Sequence, residues 1–315
     1  MNTMKSTILG AAAAVATLGA APVWAQTDVT LMYTATAPFV TAFVAKDQGY
    51  FDDHGVNVEL QLANNGSVII SGVVSGSAQV GLPTPTVAFQ AIENGLELKT
   101  FASTNIFPDT TASGVVVGVD TGIETAADLV GKKVGVPGIG GLLDVTMREW
   151  IMSNGVDLAD VNIVEVPLPQ TADAIKGKQV DAVASVDPFA TRAVETGVAN
   201  LIGDYLSVVP ADTAAGIYVT SAEWAAANPE AIEGMQMALD EAVEYIKSNP
   251  DGTRESIARY TSLPPQVVAG MAIPNVYTHL DTEKSFRFWV DLALAQNLIT
   301  EEIDLDSFVI KYPGD

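Results

Sequence analysis

Short stretches rich in β-branched residues alternate along the chain with stretches of helical spacing. We predict strands at 28–34, 56–62, 79–83, 97–104, 113–119, 132–138, 162–168, 181–187 and 215–221. Since helical patterns separate most of these strands, the alternation predicts βαβ units and mostly parallel sheets in an α/β fold.

The pattern changes to helices after residue 221. Within the first of these helices, apolar side chains recur at roughly helical spacing and predict a buried face. They are Ile232, Met235, Met237, Leu239, Ala242, Val243 and Ile246. The methionines in this stripe are interpreted as core residues.

The chain contains no low-complexity tract or flexible linker, so we expect two lobes joined by strands that cross between them. The candidate hinge strands are 114–119 and 215–221. This assigns residues 26–112 and 221–315 to lobe I, and residues 113–220, with the hinge strands, to lobe II. In open parallel sheets ligands bind at the carboxyl ends of strands, which places the site in the cleft between the lobes.

Residues 1–25 have the features of a secretory signal peptide. They contain one lysine, an apolar run from Ile8 to Ala21, and small residues at Val23 and Ala25. We expect cleavage near Ala25 and an exported protein. No later stretch has the roughly 18 uninterrupted apolar residues that a membrane span needs, so we expect a soluble chain.

The composition excludes several classes of function. With 15 basic and 38 acidic residues, a net charge of -23 argues against nucleic acid or anionic lipid as a partner. The absence of cysteine excludes disulfides, cysteine nucleophiles and zinc sites that contain cysteine. Neither His54 nor His279 has a second histidine at metal-ligand spacing, so we expect no metal, no cofactor and no catalytic residue.

The stretch 132–151 runs from a strand through a glycine cluster into an amphipathic helix. Gly138 and Gly140 suggest a dinucleotide loop, but Leu143 stands where that fingerprint needs its third glycine. The lysines at 132–133 lie at the beginning of the strand rather than at the end of a glycine loop, so this is not a Walker motif either. The helix start has unpaired N–H groups that could point toward the cleft.

Helix starts of this kind also occur where other strands lead into helices. Hydroxyl, amide and acidic side chains there are typical helix caps, and proline stands at several first helical positions. We predict ligand-binding residues at these ends: Tyr33, Thr34, Thr36, Phe39, Asn64, Asn65, Thr84, Thr86, Phe107, Gly138, Gly140, Gly141, Asp144 and Asp187.

The candidate loops contain no lysine or arginine, which bears on the ligand. Micromolar binding needs about -8 kcal/mol. Several helix starts with hydroxyl and amide donors could supply that free energy. Asp144 and Asp187 either complement helix dipoles or accept hydrogen bonds from an amine of the ligand. Inorganic anions such as nitrate or bicarbonate are disfavoured.

Four stretches together resemble the periplasmic solute-binding proteins of ABC importers, in the nitrate, sulfonate, taurine and thiamine-pyrimidine group. They are KDQGYFDDHGVNVEL, SGSAQVGLPT, DLVGKKVGVPGIGG and VDAVASVDPF. The resemblance extends from Val29 to about Leu298. It implies a type II two-lobed fold that closes on a small solute and delivers it to an ABC permease. By position it implies ligand loops at 34–39, 64–67, 84–86 and 138–141, with Asp187. We expect a monomer.

The ligand class stays open at this point. A sulfonate or amino-sulfonate such as taurine would use the helix starts and an aspartate. An aminopyrimidine would lie against Tyr33 and Phe107, and an aromatic carboxylate is a third alternative. An enzyme on the same fold is the competing class, with a carboxylate-pair hydrolase as its remaining form.

Overall fold

The computed structural model describes residues 26–108, 113–261 and 263–312. The predicted signal peptide lies outside these residues.

Strands and helices alternate through most of the described chain, as the pattern predicts. The strands are β1 Thr27–Tyr33, β2 Val56–Leu62, β3 Val80–Gly81, β4 Leu98–Ile106, β5 Ser113–Gly118, β6 Lys133–Val136, β7 Asn162–Glu165, β8 Ala182–Val186, β9 Ala199–Ile202 and β10 Ala214–Ser221. The helices are α1 Val40–Gln48, α2 Tyr50–Asp53, α3 Gly66–Val74, α4 Pro85–Glu93, α5 Leu142–Ser153, α6 Thr171–Lys176, α7 Phe189–Glu195, α8 Ala222–Ala227, α9 Pro229–Ser248, α10 Pro250–Thr261, α11 Pro265–Gly270, α12 Thr282–Ala295 and α13 Leu305–Phe308.

The strands form two five-stranded sheets, with orders β2-β1-β3-β10-β4 and β7-β6-β8-β5-β9. In the first sheet β10 runs antiparallel to β3 and β4, and in the second β5 runs antiparallel to β8 and β9. The remaining pairings are parallel. The expected two-lobed α/β fold is confirmed, with mixed sheets whose antiparallel pairings come from β5 and β10.

The chain crosses between the sheets from β4 to β5 and returns from β9 to β10. We propose the two sheets with their helices as the lobes predicted from the sequence. In this proposal β10 is counted with lobe I, because it pairs with β4 along its length and with β3 at Val219.

The methionine stripe of α9 is only partly buried. Met235 is fully buried in the core of lobe I, whereas Met237 is 43% exposed, so its prediction as a core residue is wrong. A helix turns by about 100° per residue, which places Met237 on the face opposite Met235. None of the helices in the described ranges is long and apolar enough to cross a membrane.

Candidate functional site

Two helices that follow strands of different sheets begin next to each other, and hydrogen bonds join their starts. Helix α4 follows β3 of the first sheet, and α5 follows β6 of the second. The Thr86 hydroxyl donates to the carbonyl of Gly140 at 2.8 Å, and the Gln90 amide donates to the same oxygen at 3.2 Å. The structure thus brings two of the predicted residues, Thr86 and Gly140, into direct contact.

The glycine turn before α5 has a defined internal structure. Gly140 has a φ of +74°, a conformation that glycine adopts without steric cost. The N–H of Gly141 donates to the carbonyl of Gly138 at 3.1 Å. The N–H of Gly140 donates to a carboxylate oxygen of Asp144 at 2.7 Å. Both N–H groups are therefore used inside the protein.

Asp144 is fully buried and holds this turn in place. Its second oxygen accepts a hydrogen bond of 2.7 Å from Nε of Arg148, one helical turn further along α5. Both oxygens are thus occupied by protein donors, and the negative charge lies at the helix start, where the dipole favours it. Within the described chain, the N–H groups of Leu142 and Leu143 have no protein partner, so this helix start keeps free donors.

The hydroxyls in front of two other helix starts cap no helical N–H. Thr84 precedes α4, and its hydroxyl lies 3.5 Å from that of Thr86. Thr36 precedes the short 3₁₀ turn Ala37–Phe39 that leads into α1. Strands β1 and β3 are parallel neighbours, so their carboxyl ends share one edge of the first sheet. The loops that carry Thr34, Thr36 and Thr84 begin at that edge.

The predicted aromatic residues are packed inside the protein. The Tyr33 hydroxyl donates to the carbonyl of Tyr260 at 3.0 Å, and burial raises the pKa of Tyr33. The ring of Phe107 is buried with its centroid 6.4 Å from that of Trp289. Phe39 is buried as well.

The asparagine pair lies at the start of α3. The Asn65 side chain accepts a hydrogen bond of 3.0 Å from the N–H of Val68 and so caps the helix, while Asn64 is exposed. The structure therefore uses the Asn65 side chain as a helix cap.

Asp187 follows β8, which runs parallel to β6, so it begins at the same sheet edge as the glycine turn. One oxygen of Asp187 accepts hydrogen bonds from the N–H and the hydroxyl of Thr191, at 3.1 and 2.7 Å. Both of these bonds go to the same one of its two carboxylate oxygens.

Sequence reasoning missed two glutamines that contact the region. Gln90 lies in α4 four residues after Thr86, and this spacing places both side chains on one face of the helix. That signal was sufficient to find Gln90. Gln296, just after α12, donates to the carbonyl of Val145 at 2.8 Å. Its role depends on long-range packing and has no sequence signal.

The two histidines lie elsewhere. His54 lies 2.7 Å from a carboxylate oxygen of Glu241, and the ring of His279 stacks on Tyr312 at 4.0 Å between centroids. Within the described ranges, no three histidine or acidic side chains form a group that could hold a metal ion.

Known proteins of similar structure share this fold. The alkanesulfonate-binding protein SsuA of Xanthomonas axonopodis pv. citri, bound to MOPS, superposes with a TM-score of 0.76 at 19% identity, covering 90% of this chain and 98% of that one. The periplasmic nitrate-binding protein NrtA of Synechocystis PCC 6803 gives a TM-score of 0.74 at 17% identity, covering 90% and 86%. The desulfurization enzyme DSZB gives 0.69 at 16% identity, covering 91% and 97%.

Relatives by sequence include both binding proteins and an enzyme. One from Brucella abortus strain 2308, provisionally named a binding protein, is 24% identical over 220 residues, 69% of this chain and 66% of its own length. A 4-amino-5-hydroxymethyl-2-methylpyrimidine phosphate synthase of Aspergillus parasiticus is 26% identical over 232 residues, 69% of this chain and 65% of its own. The matches thus span just under two thirds of these curated relatives.

A family model described as NMT1/THI5 like matches residues 36–253. That range includes every predicted site residue except Tyr33 and Thr34. Since the match covers more than half of the 315 residues, the chain belongs to the NMT1/THI5-like family.

Proposed function

We propose that this protein binds a small organic solute between its two lobes, outside the cytoplasm, and delivers it to an ABC permease. The observation that carries the proposal is the meeting of the α4 and α5 starts at Thr86 and Gly140. Two helix starts from different lobes at one point offer backbone donors to a ligand that both lobes touch.

The favoured ligand class is a sulfonate, with taurine as its amino-sulfonate member. A helix start favours an anion by about 0.3 to 1 kcal/mol, and each charge-assisted hydrogen bond adds about 1.5 to 3 kcal/mol. Free N–H groups of Leu142 and Leu143, with the hydroxyls of Thr36 and Thr84, are the donors we assign to the sulfonate oxygens. The sulfonate named for SsuA supports this class.

An amine on the ligand is assigned to Asp187 rather than Asp144. Both oxygens of Asp144 are bonded inside the protein, to Gly140 and Arg148. Asp187 has one oxygen beyond its bonds to Thr191. Only Asp187 can accept from an ammonium group without losing a bond of the turn.

The alternative ligand, an aminopyrimidine, has less support. It requires aromatic walls, and Tyr33 and Phe107 are packed in cores instead. Because the Aspergillus parasiticus relative is named as a synthase of an aminopyrimidine phosphate, aminopyrimidines are included among the compounds to be tested. An aromatic carboxylate faces the same lack of an exposed ring at these positions.

The competing class is an enzyme on this fold, such as a hydrolase that uses a carboxylate pair. Calorimetric titration with taurine, followed by mass spectrometry of the compound after long incubation, separates the two classes. We expect saturable binding near one molecule per chain and unchanged compound. Steady turnover of the bound compound would contradict the binding function.

A further inference from the structure

The first turn of α5 joins the two lobes through its apolar side chains. Leu142 and Val145 are 8% and 0% exposed. They belong to one buried cluster with lobe I residues that include Phe89 and Trp289. The start of a helix that follows a lobe II strand is therefore embedded in lobe I.

Polar bonds reinforce the same junction from two sides. Gln90 of α4 donates to the Gly140 carbonyl at 3.2 Å, beside the bond from Thr86. Gln296 donates to the carbonyl of Val145 at 2.8 Å. Both carbonyls lie in or just before the first turn of α5, so lobe I holds this turn by its backbone as well as by its side chains.

The rest of α5 packs in lobe II. Met147 and Ile151 belong to a separate buried cluster with Val134 and Val136 of β6. The helix is thus divided, with its first turn in the lobe I core and its later turns against the lobe II sheet. A rigid helix shared in this way cannot leave either lobe without exposing buried apolar surface.

We propose that the first turn of α5 is the pivot of lobe movement and that Gln90 and Gln296 are positioning residues that hold it. This inference rests on the two-lobed binding function proposed above. A pivot at this turn keeps Gly138–Gly141 beside Thr86 in the open and the closed states. That half of the site is then preformed, and lobe movement brings Asp187 to the ligand.

Distance measurements between the lobes test the pivot without any ligand. The chain has no cysteine, so Ser71→Cys in α3 and Glu195→Cys in α7 give one spin label on each lobe. Double electron–electron resonance then reports the distribution of distances between them. We expect Gln90→Ala with Gln296→Ala to broaden that distribution relative to the parent protein.

The matched control is Asn94→Ala, one turn after Gln90 on α4. Its exposed side chain donates at 2.7 Å to the carbonyl of Gln90 in the same helix. We expect the parent distribution in this control. An unchanged distribution in the double glutamine variant, or equal broadening in the control, would overturn the pivot.

Taurine affinity gives the second readout. Because the pivot bonds are present in both the open and the closed state, their loss lowers affinity only by leaving the glycine turn less well preformed. We expect taurine binding to weaken by at most about two- to tenfold for each glutamine, the worth of one neutral hydrogen bond. If the alanine variants lose their circular dichroism signal, Gln90→Glu and Gln296→Glu replace them, since each keeps the shape but sets a carboxylate against a carbonyl. Broadening without any ligand would support the pivot even if no compound bound, whereas binding with unchanged distances would overturn the pivot alone.

Discussion

The hydroxyl of Thr86 donates a 2.8 Å hydrogen bond to the carbonyl of Gly140, and this bond joins the starts of two helices that follow strands of different sheets. Thr86 is fully buried, so the bond is shielded from water. A buried donor that loses its acceptor costs more free energy than an exposed one. The bond therefore helps to fix the two helix starts at the spacing that we assign to the ligand site.

Replacing Thr86 with valine keeps the shape of the side chain and removes this donor. We expect the free energy of unfolding to fall by about 0.5 to 1.5 kcal/mol. Taurine affinity should fall as well, because the two helix starts are held less firmly. Urea unfolding and calorimetry measure the two effects.

The matched control is Thr253→Val in α10. Thr253 is also fully buried, and its hydroxyl donates at 2.8 Å to the nearby carbonyl of Asn249. We expect a similar loss of stability with parent affinity for taurine. Parent affinity in Thr86→Val would show that the bond between the helix starts does not matter for the site.

Replacing Gly140 with alanine tests the close approach of Gln90. A Cβ at Gly140 would lie 2.5 Å from Nε2 of Gln90, and the φ of +74° already costs a non-glycine residue about 1 to 2 kcal/mol. Gly155 has a φ of +79° but open space around it, so Gly155→Ala carries the backbone cost alone. We expect a larger loss of unfolding free energy at Gly140 in thermal or urea denaturation. Equal losses would mean that the Gln90 contact adds nothing.

Asp187→Asn separates the amine and sulfonate parts of the ligand. We expect taurine binding to weaken by about 1 to 3 kcal/mol, because the ammonium loses a charged acceptor. An alkanesulfonate without an amine should bind almost as it does to the parent protein.

The control for this pair of titrations is Asp157→Asn. Asp157 is another short-range cap, which accepts a 2.9 Å bond from the N–H of Ala159. We expect neither ligand to change affinity in this variant. Equal taurine affinity in Asp187→Asn and the parent would remove Asp187 from the site.

The raised pKa of Tyr260 predicts that the protein loses stability at alkaline pH. Burial and the hydrogen bond to Asp47 raise the pKa of Tyr260 to about 12, from 10.0. Because the folded-state pKa is raised, this contribution to stability is complete below about pH 10 and is lost as the pH rises toward 12. We expect urea unfolding at pH 9 and 11 to show this decline.

Tyr260→Phe should make the decline shallower, since the variant has no hydroxyl to ionise at this position. Tyr277→Phe is the control, because Tyr277 is 46% exposed. We expect the parent decline in this control. An equally steep decline in Tyr260→Phe would exclude Tyr260 as a source of the alkaline sensitivity.

The periodicity of the sequence was sufficient to predict most strands. Runs of apolar β-branched residues bounded by glycine or proline favour a strand through their local backbone preference. Strand β9 was missed, since Ala199–Ile202 is short and Asn200 and Leu201 are exposed, so it has no apolar run. Its pairing with β5 stabilises this strand, although its own sequence does not predict one.

The contacts at the candidate site were harder to predict from the sequence, for a physical reason. The hydrogen bond between Thr86 and Gly140 joins residues 54 positions apart, and no local pattern encodes such a contact. The two interpretations of Asp144 could not be separated until its bonds to Gly140 and Arg148 were visible. Tyr33 likewise follows the same strand pattern whether its ring packs inside or lines a cleft.

A thermal-shift panel on the protein from Gln26 onward tests the central claim most directly. The compounds are taurine, alkanesulfonates, aminopyrimidines, aromatic carboxylates and amino acids at millimolar concentration. A ligand at 100 times its dissociation constant adds about 2.7 kcal/mol to the free energy of unfolding, which raises the midpoint by a few degrees. We predict a shift confined to the sulfonates, largest for taurine. A shift confined to another class, or no shift together with no small molecule released from the denatured protein in mass spectrometry, would contradict the proposed function.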